Sequence, residues 1–128
     1  MIREQLNKIS KEIVDAAYTV HKEMGPGLLE SIYEYCMLKE LELRNIHAKR
    51  QVIIPLYYKG ELLTKDFRID ILVENEIIIE LKAVDIILPV HKAQIISYLK
   101  LADKNLGFLI NFNVDYIKNG IKRIVNNF

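Results

Sequence analysis

Asp66-Phe67-Arg68-Ile69-Asp70-Ile71-Leu72-Val73, followed after Glu74-Asn75-Glu76 by Ile77-Ile78-Ile79-Glu80-Leu81-Lys82-Ala83-Val84, carries the alternation of a central β-hairpin. In the first half the odd positions are apolar, while Asp66, Arg68 and Asp70 occupy even ones. That period of two belongs to a strand with one core face and one polar face. The second half alternates as well, with Ile77, Ile79, Leu81 and Ala83 facing one way and Ile78, Glu80, Lys82 and Val84 the other. A tight turn centred on Asn75 makes the two halves a hairpin, with Asp70 opposite Glu80 and Arg68 opposite Lys82.

Working outward, Gln51 to Tyr58 is rich in β-branched and aromatic residues, Lys59-Gly60-Glu61 reads as a turn, and Leu62 to Val73 returns as the second strand before Ile77 to Val84. Pro89 opens a helix over about 89–103, with Asp85 in reach as a capping acid and Ala93, Ile96, Leu99 and Ala102 on its apolar side. Gly107 to Phe112 reads as a buried fourth strand, and Ile117 to Val125 as a short terminal element of unassigned type. Upstream, Ile9, Ile13, Ala16, Ala17, Val20 and Met24 predict an amphipathic helix over about 4–23 that ends at Gly25-Pro26-Gly27. A second helix follows that turn, with a stripe of Leu29, Ile32, Tyr33, Cys36 and Leu41, and closes at Arg44-Asn45. The order is ααβββαβ, an α/β (α+β) fold with a mixed sheet flanked by helices, in one domain spanning 1–128.

Composition limits the functions available. The 128 residues include 18 Lys and Arg against 17 Asp and Glu, so a strongly basic balance is absent and any nucleic-acid partner must be argued from a local site. The single cysteine, Cys36, excludes an internal disulfide and a thiolate metal cluster. Charges at Arg3, Glu4 and Lys8 stand where a signal peptide would be apolar, and no apolar run approaches the roughly 18 residues of a membrane span. A soluble cytoplasmic protein with no membrane partner is expected.

Two facing carboxylates repel unless a cation lies between them or one keeps a proton. A hard divalent ion such as Mg²⁺, which takes oxygen ligands and is held by one or two carboxylates together with substrate phosphate oxygens, resolves the Asp70–Glu80 pair. Lys82, on the same strand face, can stabilise charge on a scissile phosphate or assist deprotonation of an attacking water. On the residues alone, the same three charges also fit an ordinary solvated hairpin face.

The short motifs Gly27-Leu28-Leu29-Glu30-Ser31-Ile32-Tyr33, Phe67-Arg68-Ile69-Asp70, Ile79-Glu80-Leu81-Lys82, Gln94-Ile95-Ile96-Ser97-Tyr98 and Leu109-Ile110-Asn111-Phe112 occur in this order. Together they resemble the PD-(D/E)XK nuclease superfamily and, more narrowly, its small prokaryotic GxxExxY proteins, over about Ile13 to Val125. The resemblance implies a restriction-endonuclease-like core, with Asp70 and Glu80 as metal ligands, Lys82 assisting catalysis and Glu30 completing the catalytic and metal site. Ile69 stands where the superfamily name has proline, as in many members. Gln94 and Tyr98 match a Q-x-x-x-Y motif that lines the site and contacts DNA. Positions 91, 94 and 98 share a helical face, so His91 joins them as a candidate substrate contact.

Other polar residues have plainer readings beside these. Glu30 also suits a helix start through the helix dipole. Tyr33 and Cys36 read as core, His47 as solvated, and His21, close to the glycine turn, as either a helix-end residue or one that borders the site. Gly25-Pro26-Gly27 lacks the Gly-Lys-Ser/Thr of a phosphate loop and reads as an interhelix turn. The basic clusters Lys39 to Arg50 and Lys118 to Arg123 offer phosphate contacts or solvated faces. The expectation is a Mg²⁺- or Mn²⁺-dependent nuclease acting on DNA rather than RNA, aided by a homodimer or protein partner. The alternative is a catalytically inactive nuclease-fold module that binds nucleic acid or protein.

Overall fold

A computed structural model describes residues 1–128. The first helix, α1 (Arg3–Met24), buries Leu6, Ile13, Ala16, Ala17 and Val20 along one stripe. It stops at Gly25, whose φ of 68° lets its N–H turn back to the His21 carbonyl at 2.8 Å. Helix α2 (Glu30–Leu43) runs alongside it. The Arg44 guanidinium clasps the two helices by reaching Glu12 at 2.9 Å and Asp15 at 2.7 Å on α1 and Glu40 at 3.3 Å on α2.

The buried face of α2 is Tyr33, Glu34, Met37 and Leu41. The expected stripe is therefore wrong at its start, since Leu29 is 74% and Ile32 38% exposed. Tyr33 explains the rotation: its ring stacks on Phe112 at 4.4 Å and 5°, and its hydroxyl donates to the Gly25 carbonyl and accepts from the Leu28 N–H. A large aromatic fixed at both ends sets which side of the helix faces inward.

Strands β1 (Ala48–Tyr58), β2 (Glu61–Val73) and β3 (Ile77–Lys82) form an antiparallel meander. After it, α3 (Pro89–Leu101) crosses over to β4 (Leu106–Asn111), which lies parallel to β3. The segment of unassigned type resolves into a 3-10 turn, Ile117–Asn119, and an edge strand, β5 (Ile121–Val125), antiparallel to β4. The sheet order is β1-β2-β3-β4-β5. The expected ααβββαβ order and mixed sheet stand, extended by β5.

Both sheet faces are covered, which the expected core-and-polar alternation of β2 and β3 did not anticipate. Ile71, Val73, Ile77, Ile79 and Leu81 pack with α1 and α2, whereas Ile69, Leu72, Ile78 and Leu109 pack with α3. Helix α3 buries Ile95, Tyr98 and Leu99 rather than Ala93 and Ile96, which are exposed. Gly107 accounts for this rotation, because a Cβ there would lie 3.1 Å from Ile95 Cδ1 and 3.4 Å from Leu99 Cδ2. The helix sits directly on that glycine, one turn to each side. Asp85 does not cap α3. The N-cap is Leu88, whose N–H donates to His91 Nδ1 at 2.9 Å, while Asp85 accepts from Asn113.

Candidate active site

The turn Glu74-Asn75 has φ of 52° and 58°, the left-handed pair that a tight hairpin requires, and it sets the register Val73–Ile77, Leu72–Ile78 and Ile71–Ile79. The next rung is Asp70 and Glu80, and there the backbone ladder stops. The Asp70 N–H donates to Glu80 Oε1 at 3.2 Å, and the Leu81 N–H donates to Asp70 Oδ2 at 2.8 Å. Each carboxylate thus bonds a backbone amide of the other strand. The ladder does not reach Arg68 and Lys82: Arg68 pairs with Ile53 on β1, and Lys82 with Asn111 on β4.

Glu80 is 4% exposed, and its carboxyl is pushed up to about 9, first by loss of water and then by the Asp70 charge, with Lys82 acting the other way. Glu80 thus favours its protonated form where it lies buried beside Asp70. Tyr98 lies within the field of both acids: burial, then Glu80 and Asp70, push its hydroxyl up. Gln94 Nε2 donates to the Tyr98 hydroxyl at 3.1 Å, and Phe67 meets the Tyr98 ring edge-on at 6.2 Å. Asp70, Glu80, Lys82, Gln94 and Tyr98 are therefore brought together where β2 and β3 part beneath α3.

His91 and Glu30 stand differently. His91 spends Nδ1 on the helix cap and lines a shallow surface depression with Gln94 and Ser97. Glu30 is the first residue of α2 and exposed, and no group of three His, Cys, Asp or Glu side chains converges to hold an ion. Its helix start does belong to this end of the sheet, since Tyr33 stacks on Phe112 and the Phe112 N–H donates to the Lys82 carbonyl at 3.0 Å.

His21 donates through Nε2 to the Val114 carbonyl at 2.8 Å, just beyond β4. Cys36 packs at the core margin with its thiol pushed up by burial, which suits a small apolar residue and not a nucleophile.

Two supporting residues, Asn111 and Glu34, had no role assigned from the sequence. Asn111, 2% exposed, accepts from the Val84 and Asn113 N–H groups and donates to the Val84 carbonyl, pegging the chain just past Lys82. Its signal was a lone amide ending the apolar run 106–110. Glu34, 5% exposed, accepts from Arg50 Nε at 2.8 Å and Gln51 Nε2 at 3.1 Å. A groove of about 660 Å³ between α1 and the sheet includes none of the candidate site residues.

A family model described as the PD-(D/E)XK nuclease superfamily matches residues 7–124. The chain belongs to this superfamily. Members of the PD-(D/E)XK superfamily are usually nucleases and generally use divalent metals, typically Mg²⁺. The helices and mixed five-stranded sheet agree with its restriction-endonuclease-like core. No curated protein and no solved structure matches the chain significantly. The side chains fit a divalent ion: two adjacent carboxylates, each spending one oxygen on an amide, carry a mutual repulsion that a hard cation relieves. No helix is long and apolar enough to cross a membrane.

Proposed function

We propose that the protein is a Mg²⁺- or Mn²⁺-dependent nuclease that hydrolyses phosphodiester bonds in DNA. The observation that carries this reading is the Asp70–Glu80 pair, lodged between β2 and β3 with Glu80 buried beside a like charge. Asp70 and Glu80 would hold the ion, and Glu30 would join them directly or through water. When bound, the ion supplies Lewis-acid activation of water and neutralises charge on the phosphate.

The protein's own groups do the remainder. Lys82, two residues past Glu80 and near it, orients the attacking water and offsets the negative charge that builds on the nonbridging oxygens. Water oxygen bonds to phosphorus and gives up a proton to solvent, the P–O bond to one sugar breaks, and the departing oxygen takes a proton from solvent. Tyr98 and Gln94 present a hydroxyl and an amide to the strand being cut, with His91 further along the same face of α3. Near-neutral net charge concentrates affinity at this site and makes nonspecific binding weak. The motif Gly27 to Tyr33 supports the narrower GxxExxY assignment. So small a domain would act as a homodimer or with a protein partner, in the cytoplasm.

A second reading, an inactive module that binds nucleic acid or protein, draws support from Glu30, which stands apart from the pair. Cleavage assays on single-stranded, duplex and branched DNA and on RNA, with Mg²⁺ or Mn²⁺, separate the two. Metal-dependent products from the wild type that vanish with Lys82→Ala support the nuclease, whereas binding without products supports the module.

A further inference from the structure

Neighbouring strand residues point to opposite faces of a sheet. Arg50 and Gln51 break that rule, because both side chains reach the Glu34 carboxylate of α2. Gln51 has φ of 51°, a left-handed backbone rare for a residue with a side chain. It lies opposite Asp70, since Arg50 pairs with Ile71 and Val52 with Ile69, and it is itself missing from the ladder.

Both strands switch face at this rung. On β2, Ile71 and Val73 pack toward α1 and α2, whereas Ile69 and Phe67 pack toward α3. On β1, Ala48 belongs to the first side, and Val52 and Ile54 to the second. A slip of one residue in each strand is therefore concentrated at Gln51 and Asp70. It turns Asp70 sideways toward β3, where its carboxylate meets the Leu81 amide. A left-handed residue in mid-strand is strained and persists only where its surroundings hold it. The hold here is Glu34, a buried acid with a guanidinium and an amide on its two oxygens.

We infer that Glu34 is a positioning residue, which holds the Gln51 rung and thereby aims Asp70 at the ion site. This rests on the reading of Asp70 and Glu80 as metal ligands. The test is Mn²⁺ binding, followed by electron paramagnetic resonance, in wild type, Asp70→Ala, Glu34→Gln, Glu34→Ala and Gln51→Gly, with circular dichroism and Tm in EDTA for each. Gln51→Gly keeps the left-handed backbone accessible and removes the side chain that reaches Glu34, so it stays folded where Glu34→Ala fails.

The expected result is about 10–100-fold weaker Mn²⁺ binding in Glu34→Ala, the scale on which supporting side chains act. Glu34→Gln, which still accepts through its amide oxygen, recovers part of the loss, and Gln51→Gly weakens binding without a matching drop in Tm. Wild-type affinity in folded Glu34→Gln and Gln51→Gly overturns the inference. Equal, negligible binding by wild type and Asp70→Ala overturns instead the metal-site reading beneath it.

Discussion

Asp70 and Glu80 face each other at the first rung beyond the β2–β3 ladder, and the Asp70 N–H donates to the Glu80 carboxylate at 3.2 Å. A side chain has taken the place of a strand carbonyl. The hairpin that folds the protein thus ends where its proposed chemistry begins, and the same two residues serve both.

Stability should fall as pH rises when no metal is present. Below about pH 4.5 the folded and unfolded chains both carry the Glu80 proton, and between there and about 9 only the folded chain keeps it. Over that window folding loses up to about 1.4 kcal/mol per pH unit from this group. Tm measured in EDTA from pH 5 to 9 should decline, with the decline shallower in Glu80→Gln. Mg²⁺ should restore Tm most at the alkaline end, where the proton it displaces is held least tightly.

Lys82→Ala should separate binding from chemistry. The lysine is argued to act on charge that develops during the reaction, so kcat should drop by about 10²–10³. Mn²⁺ affinity should stay within a few-fold of wild type, because the two carboxylates are untouched. Single-turnover rates beside a metal titration check both halves.

Tyr98→Phe removes only the hydroxyl that Gln94 meets at 3.1 Å, leaving the ring packed against Phe67. KM for the nucleic acid should rise several-fold, with kcat changing less and Tm shifting by only a few degrees. Steady-state kinetics and a thermal melt are sufficient.

Gly120 lies so close to β4 that a Cβ there would fall 2.1 Å from the Asn111 carbonyl oxygen. Gly120→Ala must push β5 or the peg at Asn111 aside, at a cost of about 1–3 kcal/mol. Because Asn111 holds the chain past Lys82, cleavage should weaken along with Tm. Urea unfolding of the variant measures the first effect.

The central hairpin was legible because one turn fixes the rungs next to it, and the alternation around 71–73 and 77–79 left a single register; the pattern failed past Asp70, where β2 switches face and Arg68 does not reach Lys82. The acid pair followed from that register. Helix faces were harder: Tyr33 anchored by Phe112 and α3 settled on Gly107 are decided by residues far along the chain, which local periodicity does not sense. Asp85 looked like a cap by proximity in sequence, but Leu88 and His91 close that helix themselves. Glu34 was hidden for a related reason. An acid one turn after another acid reads as a solvated helix face until the left-handed Gln51 brings two donors to it.

The most direct measurement is the single-turnover rate at which purified protein cuts labelled DNA with Mn²⁺, set beside Asp70→Ala and beside wild type in EDTA. The expected result is cleavage by the wild type and a loss of at least about 100-fold in both controls. Cleavage that persists at the wild-type rate in folded Asp70→Ala would contradict it.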